Sequence, residues 1–370
     1  MKKPSLRGAA TPAALGFRMP AEWEPHAATW LAWPHNARDW PGKFGAIPWA
    51  FAEIIRAIAR SERVRLIVKN ARHEAAAKRV LAKAGAKLAA IDFFRAASDR
   101  GWTRDMCPIF LVREKDAGVL VGESGGAREL GATSWRFNGW AKYPNWRRDD
   151  AAKERILARL GVPSWRPEQE GRRVVLEGGA VDVDGEGTLL ATEECLLSEV
   201  QARNPGLGRA GTERALREYL GVSRVIWLGD GIAGDDTHGH VDDLARFVRP
   251  GLLLLAAESD PHDANFRALA ENRERLEGAR DAKGRALEVV PLPMPAPLGF
   301  AGTRLPASYL NFYVTNGAVL VPTFNDLRDR EALGLLGELF PGRSVVGIHA
   351  LDLVWGFGTV HCLTQQEPLV

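Results

Sequence analysis

Cys362, in His361-Cys362-Leu363-Thr364-Gln365-Gln366, is the residue whose type and setting most invite covalent chemistry. Just upstream, Trp355-Gly356-Phe357-Gly358-Thr359 supplies two glycines, at which a backbone can approach a ligand closely. A free cysteine is ordinarily a small buried hydrophobe, and the polar residues around this one set it apart. A thiol nucleophile needs a base. Of the eight histidines, His238 and His240 stand in Gly234-Asp235-Asp236-Thr237-His238-Gly239-His240-Val241-Asp242-Asp243, with carboxylates on both sides. Val225 to Ala245 holds five aspartates and no Lys or Arg. Three readings compete for this segment: a divalent-metal site, a solvated acidic loop, or a seat for a cationic substrate beside a His general acid/base. Two more carboxylates bear on the choice. Asp105, in Trp102-Thr-Arg-Asp105 ahead of Pro108, sits at what reads as a strand entry; a turn residue or a partner for Arg104 is the plain alternative. Glu177, in Leu176-Glu177-Gly178-Gly179, reads as a strand end facing a cleft, or else as a surface charge before a tight turn.

The elements that must position these groups alternate along the chain. Apolar residues at i, i+3, i+4 spacing predict helices over Trp49–Arg60, His73–Ala84, Ala151–Leu160, Thr212–Leu220, Asn265–Leu276 and Asp329–Phe340. Short β-branched or apolar runs predict strands at Val64–Val68, Val119–Val121, Val174–Leu176, Thr188–Thr192, Val225–Leu228, Leu252–Ala256, Leu287–Val290, Tyr309–Val314, Ala318–Val321 and Val345–Ile348. Two or more strands often separate successive helices, which fits a small α/β unit with several strands better than strict βαβ alternation. The Pro-rich stretch Pro291 to Pro297 is expected to break regular structure, as an extended surface segment or a loop over the site.

Composition bounds the function. Hydrophobic residues make up 46% and charged residues 26%, which excludes wholesale disorder. A formal charge of +3, with no basic stripe, argues against nucleic acid as partner. No apolar stretch reaches the roughly 20 residues of a membrane helix. Three widely spaced cysteines (Cys107, Cys195, Cys362) give neither a disulfide framework nor a CxxC metal site, so a reducing, cytoplasmic setting is expected. Lys2 and Lys3 precede small residues, but Pro4, Arg7 and Pro12 interrupt them, and residues 1–18 read as a flexible leader before one domain over 19–370.

The phrases Met19-Pro-Ala-Glu-Trp-Glu-Pro-His26, Thr29-Trp-Leu-Ala-Trp-Pro-His35, Trp102-Thr-Arg-Asp105, Phe137-Asn-Gly-Trp-Ala-Lys-Tyr143, Leu176-Glu-Gly-Gly179 and Gly239-His-Val-Asp242 together resemble the agmatine deiminases. So do Asn311-Phe-Tyr313, Asn316-Gly-Ala318, Val321-Pro-Thr-Phe324 and His361-Cys-Leu-Thr-Gln-Gln366, in the same order, across about Met19 to Gln366. The resemblance implies an α/β fold, a five-bladed pseudo-symmetric α/β propeller of ββαβ units shared by the wider guanidine-modifying superfamily. It implies no metal and no cofactor. It makes Cys362 the nucleophile and His240 the general acid/base, with Asp105 and Asp242 gripping a guanidinium. Glu177 would orient His240 or hold a guanidinium nitrogen, Trp102 would line the pocket, and Gly356 and Gly358 would let the loop approach the substrate. Asp236 falls where many relatives have Glu, at a position expected to face the distal amine. Cys107 stands where glycine is usual, and Phe357 and Thr359 replace glycine-rich sequence.

These residue types suit the implied reaction, deimination of agmatine to N-carbamoylputrescine and ammonia. Two carboxylates can take the N–H groups of a planar cation in charge-assisted hydrogen bonds, each worth about 1.5–3 kcal/mol. Those same carboxylates disfavour a thiolate, so activation of Cys362 is expected to lean on the bound guanidinium and on protonated His240. An acidic pocket should repel the α-carboxylate of arginine and attract a distal amine. Rival readings are a deiminase of arginine or peptidyl-arginine, with Arg104 or Arg304 for the carboxylate; an amidinotransferase; a metal hydrolase; and a non-catalytic binding protein. The expected partner is a small cationic guanidine, with no nucleic acid and no membrane; homo-oligomerisation is left open.

Overall fold

A computed structural model describes residues 10–115 and 128–370. Its elements run in repeated groups. The first comprises β1 (His26–Ala32), α1 (Ile47–Ile58), β2 (Arg63–Val68), α2 (Ala71–Lys83) and β3 (Ile91–Arg95). A one-turn helix α3 (Thr103–Met106) leads into β4 (Ile109–Glu114), β5 (Arg128–Thr133), α4 (Arg147–Leu160) and β6 (Ser164–Trp165). A small hairpin, β7 (Glu168–Gln169) and β8 (Arg172–Arg173), precedes β9 (Asp182–Val183), β10 (Thr188–Thr192), α5 (Glu193–Leu197), α6 (Gly208–Leu220) and β11 (Arg224–Leu228). Then come β12 (Ala245–Arg249), β13 (Leu252–Ala257), α7 (Phe266–Leu276) and β14 (Glu288–Pro293), with a second hairpin of β15 (Gly299–Phe300) and β16 (Thr303–Arg304). The last group is β17 (Tyr313–Val314), β18 (Ala318–Thr323), α8 (Asp329–Leu339) and β19 (Ser344–His349), followed by β20 (Gln365–Pro368).

Five mixed sheets result, ordered β20-β1-β2-β3, β4-β5-β6, β9-β10-β11, β12-β13-β14 and β17-β18-β19. In each, an antiparallel pair is followed by a helical crossover to a parallel strand. The middle strands are buried nearly throughout, as β10 and Leu252–Leu255 of β13 are, because helices cover one side of each sheet and neighbouring segments the other. The helices follow their apolar stripes. In α1, Ile47, Phe51, Ile54, Ile55 and Ile58 are fully buried, each contributing about 1.5–3 kcal/mol of transfer free energy. Asn70 caps α2 by accepting from His73 N (2.9 Å).

All six expected helices form, most of them starting a few residues earlier than expected. The expected strand Val119–Val121 and residues 1–9 of the expected leader lie outside the described residues. Residues 10–18 carry structure: Phe17 is buried against Trp165, and Arg18 bridges to Val112. Val174–Leu176 forms no ladder beyond a single bridge at Val175, whose N–H and C=O are instead taken by the side-chain amide of Asn204 (both 2.8 Å). Only Tyr313–Val314 of Tyr309–Val314 is strand; Leu310 and Phe312 offer their carbonyls to the buried Arg246 guanidinium. Pro291 and Pro293 are extended but do not break regular structure; they end strand β14. That strand is at a sheet edge, where alternate residues need no inward N–H. Among the described residues no helix is long and apolar enough to cross a membrane.

Candidate active site

Asp105 does not enter a strand. It rides on the one-turn helix α3, fully buried, where Oδ1 accepts from Gly179 N (3.1 Å) and Oδ2 from Trp140 Nε1 (2.9 Å). Glu177 is neither a surface charge nor a strand end facing a cleft. It is wholly buried ahead of the 3-10 turn Gly178–Ala180 and accepts from Arg203 Nε (3.1 and 3.3 Å). The acidic segment divides by position. Asp235 ties its turn together, accepting from the N–H groups of Thr237, Gly239 and His240. Asp242 and Asp243 turn inward on the 3-10 turn Val241–Asp243, both buried.

These segments converge on one point. His240 Nδ1 lies 3.9 Å from Asp242 Oδ1, its Nε2 3.8 Å from Glu177 Oε2, and Cys362 Sγ 3.8 Å from Asp242 Oδ2. Gly179 fills the centre: a Cβ there would stand 2.6 Å from His240 Nδ1 and 3.1 Å from both Asp105 Oδ1 and Asp242 Oδ2. Both ring nitrogens of His240 and Asp242 Oδ1 are buried with no hydrogen-bond partner among the described residues. Buried polar atoms are nearly always paired, so the orphaned Asp242 Oδ1 marks where a donor-bearing ligand belongs, with the orphaned His240 nitrogens beside it.

The electrostatics follow from burial and neighbours. Burial pushes the Cys362 thiol well above its ordinary value, and Asp242, Asp243 and Asp105 push it further, opposed by Asn311. Burial raises the Asp105 carboxyl to about 6, although His240 pulls it down, with Asp242 and Glu177 adding to the rise. Glu177 runs the other way: burial opposes its charge, yet Arg203 and His240 hold it down at about 2. For His240, burial disfavours the imidazolium, but Asp105, Cys195 and Glu177 outweigh it and raise its pKa well above 6.5. Asp242 is lowered, despite burial, by its bond to His361.

Supporting residues that carry no chemical signature in the sequence hold this arrangement. Asn311 Nδ2 donates to Cys362 Sγ (3.1 Å), while its Oδ1 accepts from Thr359 Oγ1 (2.7 Å) and His361 N (3.1 Å), which fixes the direction of the amide. His361 lies between Asp242 Oδ2 (2.6 Å) and Glu22 Oε2 (2.8 Å), and Glu22 is in turn held by Arg104 (3.0 Å) and Arg246 (2.9 Å). Cys195, placed by the Thr192 cap of α5, brings its sulfur within 4.8 Å of Glu177 and His240 donor atoms. A second set, Asp242, Asp243 and Cys362, is equally close. A cation at either set would compete with Arg203 on Glu177 or with the Asn311 N–H on sulfur.

A cavity of about 560 Å³ opens onto Cys362 and Asp105, with Trp102, Trp140, Gly356 and Gly358 in its walls. His240, Asp242 and Glu177 lie one layer behind. Trp102 packs against Trp40, their ring centroids 5.2 Å apart and their planes tilted by 38°. Glycine is needed twice in the loop before Cys362: a Cβ on Gly358 would meet Trp102 Cζ3 at 2.8 Å, and one on Gly356 Trp40 Nε1 at 2.5 Å. Phe357 between them adopts φ 64°, a conformation that glycine takes without strain. Asp236 lines the outer cavity, with Oδ1 on Lys142 and Oδ2 accepting from Tyr143 Oη (2.6 Å). Cys107 is buried below α3, its thiol raised by burial, and takes no part in the cluster. His238 points away to Ser198 and Glu194.

The chain matches the family described as Porphyromonas-type peptidyl-arginine deiminase over residues 18–368. It is 37% identical to the agmatine deiminase of Pseudomonas aeruginosa (strain LESB58), covering 97% of each chain. It is 38% identical to that of Stutzerimonas stutzeri, again over 97% of each. The solved agmatine deiminase of Enterococcus faecalis superposes with a TM-score of 0.86 at 34% identity, covering 98% of both chains.

Proposed function

The chain belongs to the Porphyromonas-type peptidyl-arginine deiminase family, and from that premise we propose that it hydrolyses agmatine to N-carbamoylputrescine and ammonia. The relatives at 37–38% identity over almost their whole length carry that activity in their names. One observation carries the reading at the level of the site: the unpartnered Asp242 Oδ1, on the carboxylate beside the Cys362 sulfur, is an acceptor that a planar, donor-only cation would satisfy, with the unpartnered His240 imidazolium next to it as a proton donor.

In this mechanism the guanidinium lies between the Asp105 and Asp242 carboxylates, whose positions fix its plane. As that cation binds, Cys362 gives up its thiol proton to solvent, and the thiolate, stabilised by the cation's charge, attacks the central carbon. The tetrahedral adduct collapses as His240, protonated at rest, gives its proton to the departing nitrogen, and ammonia leaves. The covalent amidino-thioether remains. Neutral His240 then takes a proton from water, the hydroxide adds to the same carbon, and the thiolate leaves with the ureido product formed. Glu177, ionised through Arg203, stabilises the imidazolium between steps. No step needs a redox partner.

The two cations named for an arginine carboxylate stand elsewhere: Arg104 is buried on Glu22 and Gln366, and Arg304 pairs with Asp263. Arg100 and Arg38 do line the cavity, and they favour arginine as the second reading. For the architecture, we infer that the five ββαβ sheets stand around one axis as a pseudo-symmetric propeller, with β20 on β1 joining its first and last segments; five units of one connectivity support this. Residues 19–370 then form a single catalytic domain. The test is direct. Incubation with agmatine should yield ammonia and a carbamoylated diamine, and faster ureido formation from arginine or a peptide would transfer the assignment to that substrate. The Cys362→Ala protein should be inert.

A further inference from the structure

Resting on the agmatine reading above, we propose that Asp39 is the specificity-determining carboxylate for the substrate's distal ammonium. The guanidinium accounts for one of agmatine's two positive charges, and the second must be met further out in the cavity. Besides Asp105, two carboxylates among the described residues line that cavity, Asp236 and Asp39. Asp236, which the sequence points to, already has a donor on each oxygen, from Lys142 and Tyr143.

Asp39 is different. Its Oδ1 accepts from Arg100 Nη1 (2.8 Å) and Asn36 Nδ2 (3.1 Å), while Oδ2 is buried and has no hydrogen-bond partner among the described residues. The side chain is 2% exposed. Burial raises its carboxyl to about 6 in spite of Arg100, so one cation does not compensate for the desolvation and a second is stabilised beside it. Placement agrees. A Cβ on Gly356 would stand 3.1 Å from the Asp39 carbonyl, and one on Gly358 3.2 Å from Cys362 Sγ, so the two ends of one short loop touch Asp39 and the nucleophile. Between them, Trp102 offers an apolar wall to the methylenes of a four-carbon chain. The same carboxylate repels the α-carboxylate that distinguishes arginine from agmatine.

The experiment compares Asp39→Asn with the unsubstituted protein on two substrates, agmatine and n-butylguanidine, which keeps the chain and lacks the amine. Loss of a charge-assisted contact is expected to raise KM for agmatine about ten- to a hundredfold. It should leave kcat within about threefold and KM for n-butylguanidine unchanged. Equal rises for both guanidines, the mark of a merely structural role, would overturn the proposal, as would no rise for agmatine. Absence of agmatine turnover by the unsubstituted protein defeats the reaction assigned above rather than the ammonium site. The affinity of the Cys362→Ser protein for agmatine, with and without Asp39→Asn, then decides the latter: a drop of about tenfold or more sustains it and equal affinity refutes it.

Discussion

Lowering the pH from 7 to 5 is expected to weaken agmatine binding about tenfold through one carboxyl, that of Asp105. Burial, with the charges of Asp242 and Glu177 behind it, lifts this group to about 6, His240 pulling the other way. A guanidinium needs the ionised form. With that midpoint, the competent fraction is about ten-elevenths at pH 7, one-half at pH 6 and one-eleventh at pH 5, a ratio of about ten or roughly 1.4 kcal/mol. The sign follows: the bound state prefers the deprotonated carboxylate, so binding releases a proton and affinity falls as pH falls through 6. Four of its neighbours stay fixed over this range. His240 is raised well above 6.5 and stays charged, Glu177 at about 2 and the lowered Asp242 stay ionised, and the raised Cys362 stays a thiol. Asp39, also near 6, is removed by measuring on the Asp39→Asn background. Calorimetry of the Cys362→Ser protein in two buffers of different ionisation enthalpy should report about half a proton released at pH 6 and nearly one at pH 5. Affinity that stays level from pH 7 to 5, with no proton released, refutes the reasoning.

Gly179→Ala should lower kcat by about a hundredfold or more, because the new methyl displaces His240, Asp105 or Asp242 from the centre of the site; a rate close to that of the unsubstituted protein would show that the cluster can relax around it. Thr359→Val removes the hydroxyl that orients Asn311 and should cut kcat by about tenfold with little change in KM, as steady-state rates will report. Arg203→Met strands Glu177 as a buried charge and should destabilise the fold by about 3–5 kcal/mol in urea unfolding. A loss below about 1 kcal/mol would mean that Glu177 is accommodated without its partner.

The helices were legible because each has one apolar stripe, and so were central strands such as Thr188–Thr192, whose run of letters is buried on both sides. Strand β20 was not. Its letters, Gln-Gln-Glu-Pro, are polar, yet all four residues are buried because Glu367 accepts from Trp30 Nε1 and Arg65, and Gln366 from Arg104. Such pairing partners lie hundreds of positions apart. The same limit governed the site. Cys362, His240 and the carboxylates stand out by residue type, whereas Asn311, His361, Glu22 and Arg203 act by completing contacts. Asp39 is an ordinary acidic residue until its second oxygen is seen to lack a partner. Gly179 was quoted within a motif, but only the crowding around its α-carbon explains why nothing larger can stand there.

The lattice running from Arg246 and Arg104 through Glu22 and His361 to Asp242 joins segments from both ends and the middle of the chain. The bonds that aim the Asp242 carboxylate are therefore also bonds that brace the protein. A change there would damage reactivity and stability together, which closes that depth to evolutionary experiment. The outer wall, where Asp39, Lys142, Tyr143 and Asp236 meet, carries no such double duty. Selection for a guanidine with a different tail would have to work at that rim, one exchangeable charge at a time, over a reactive floor that stays as it is.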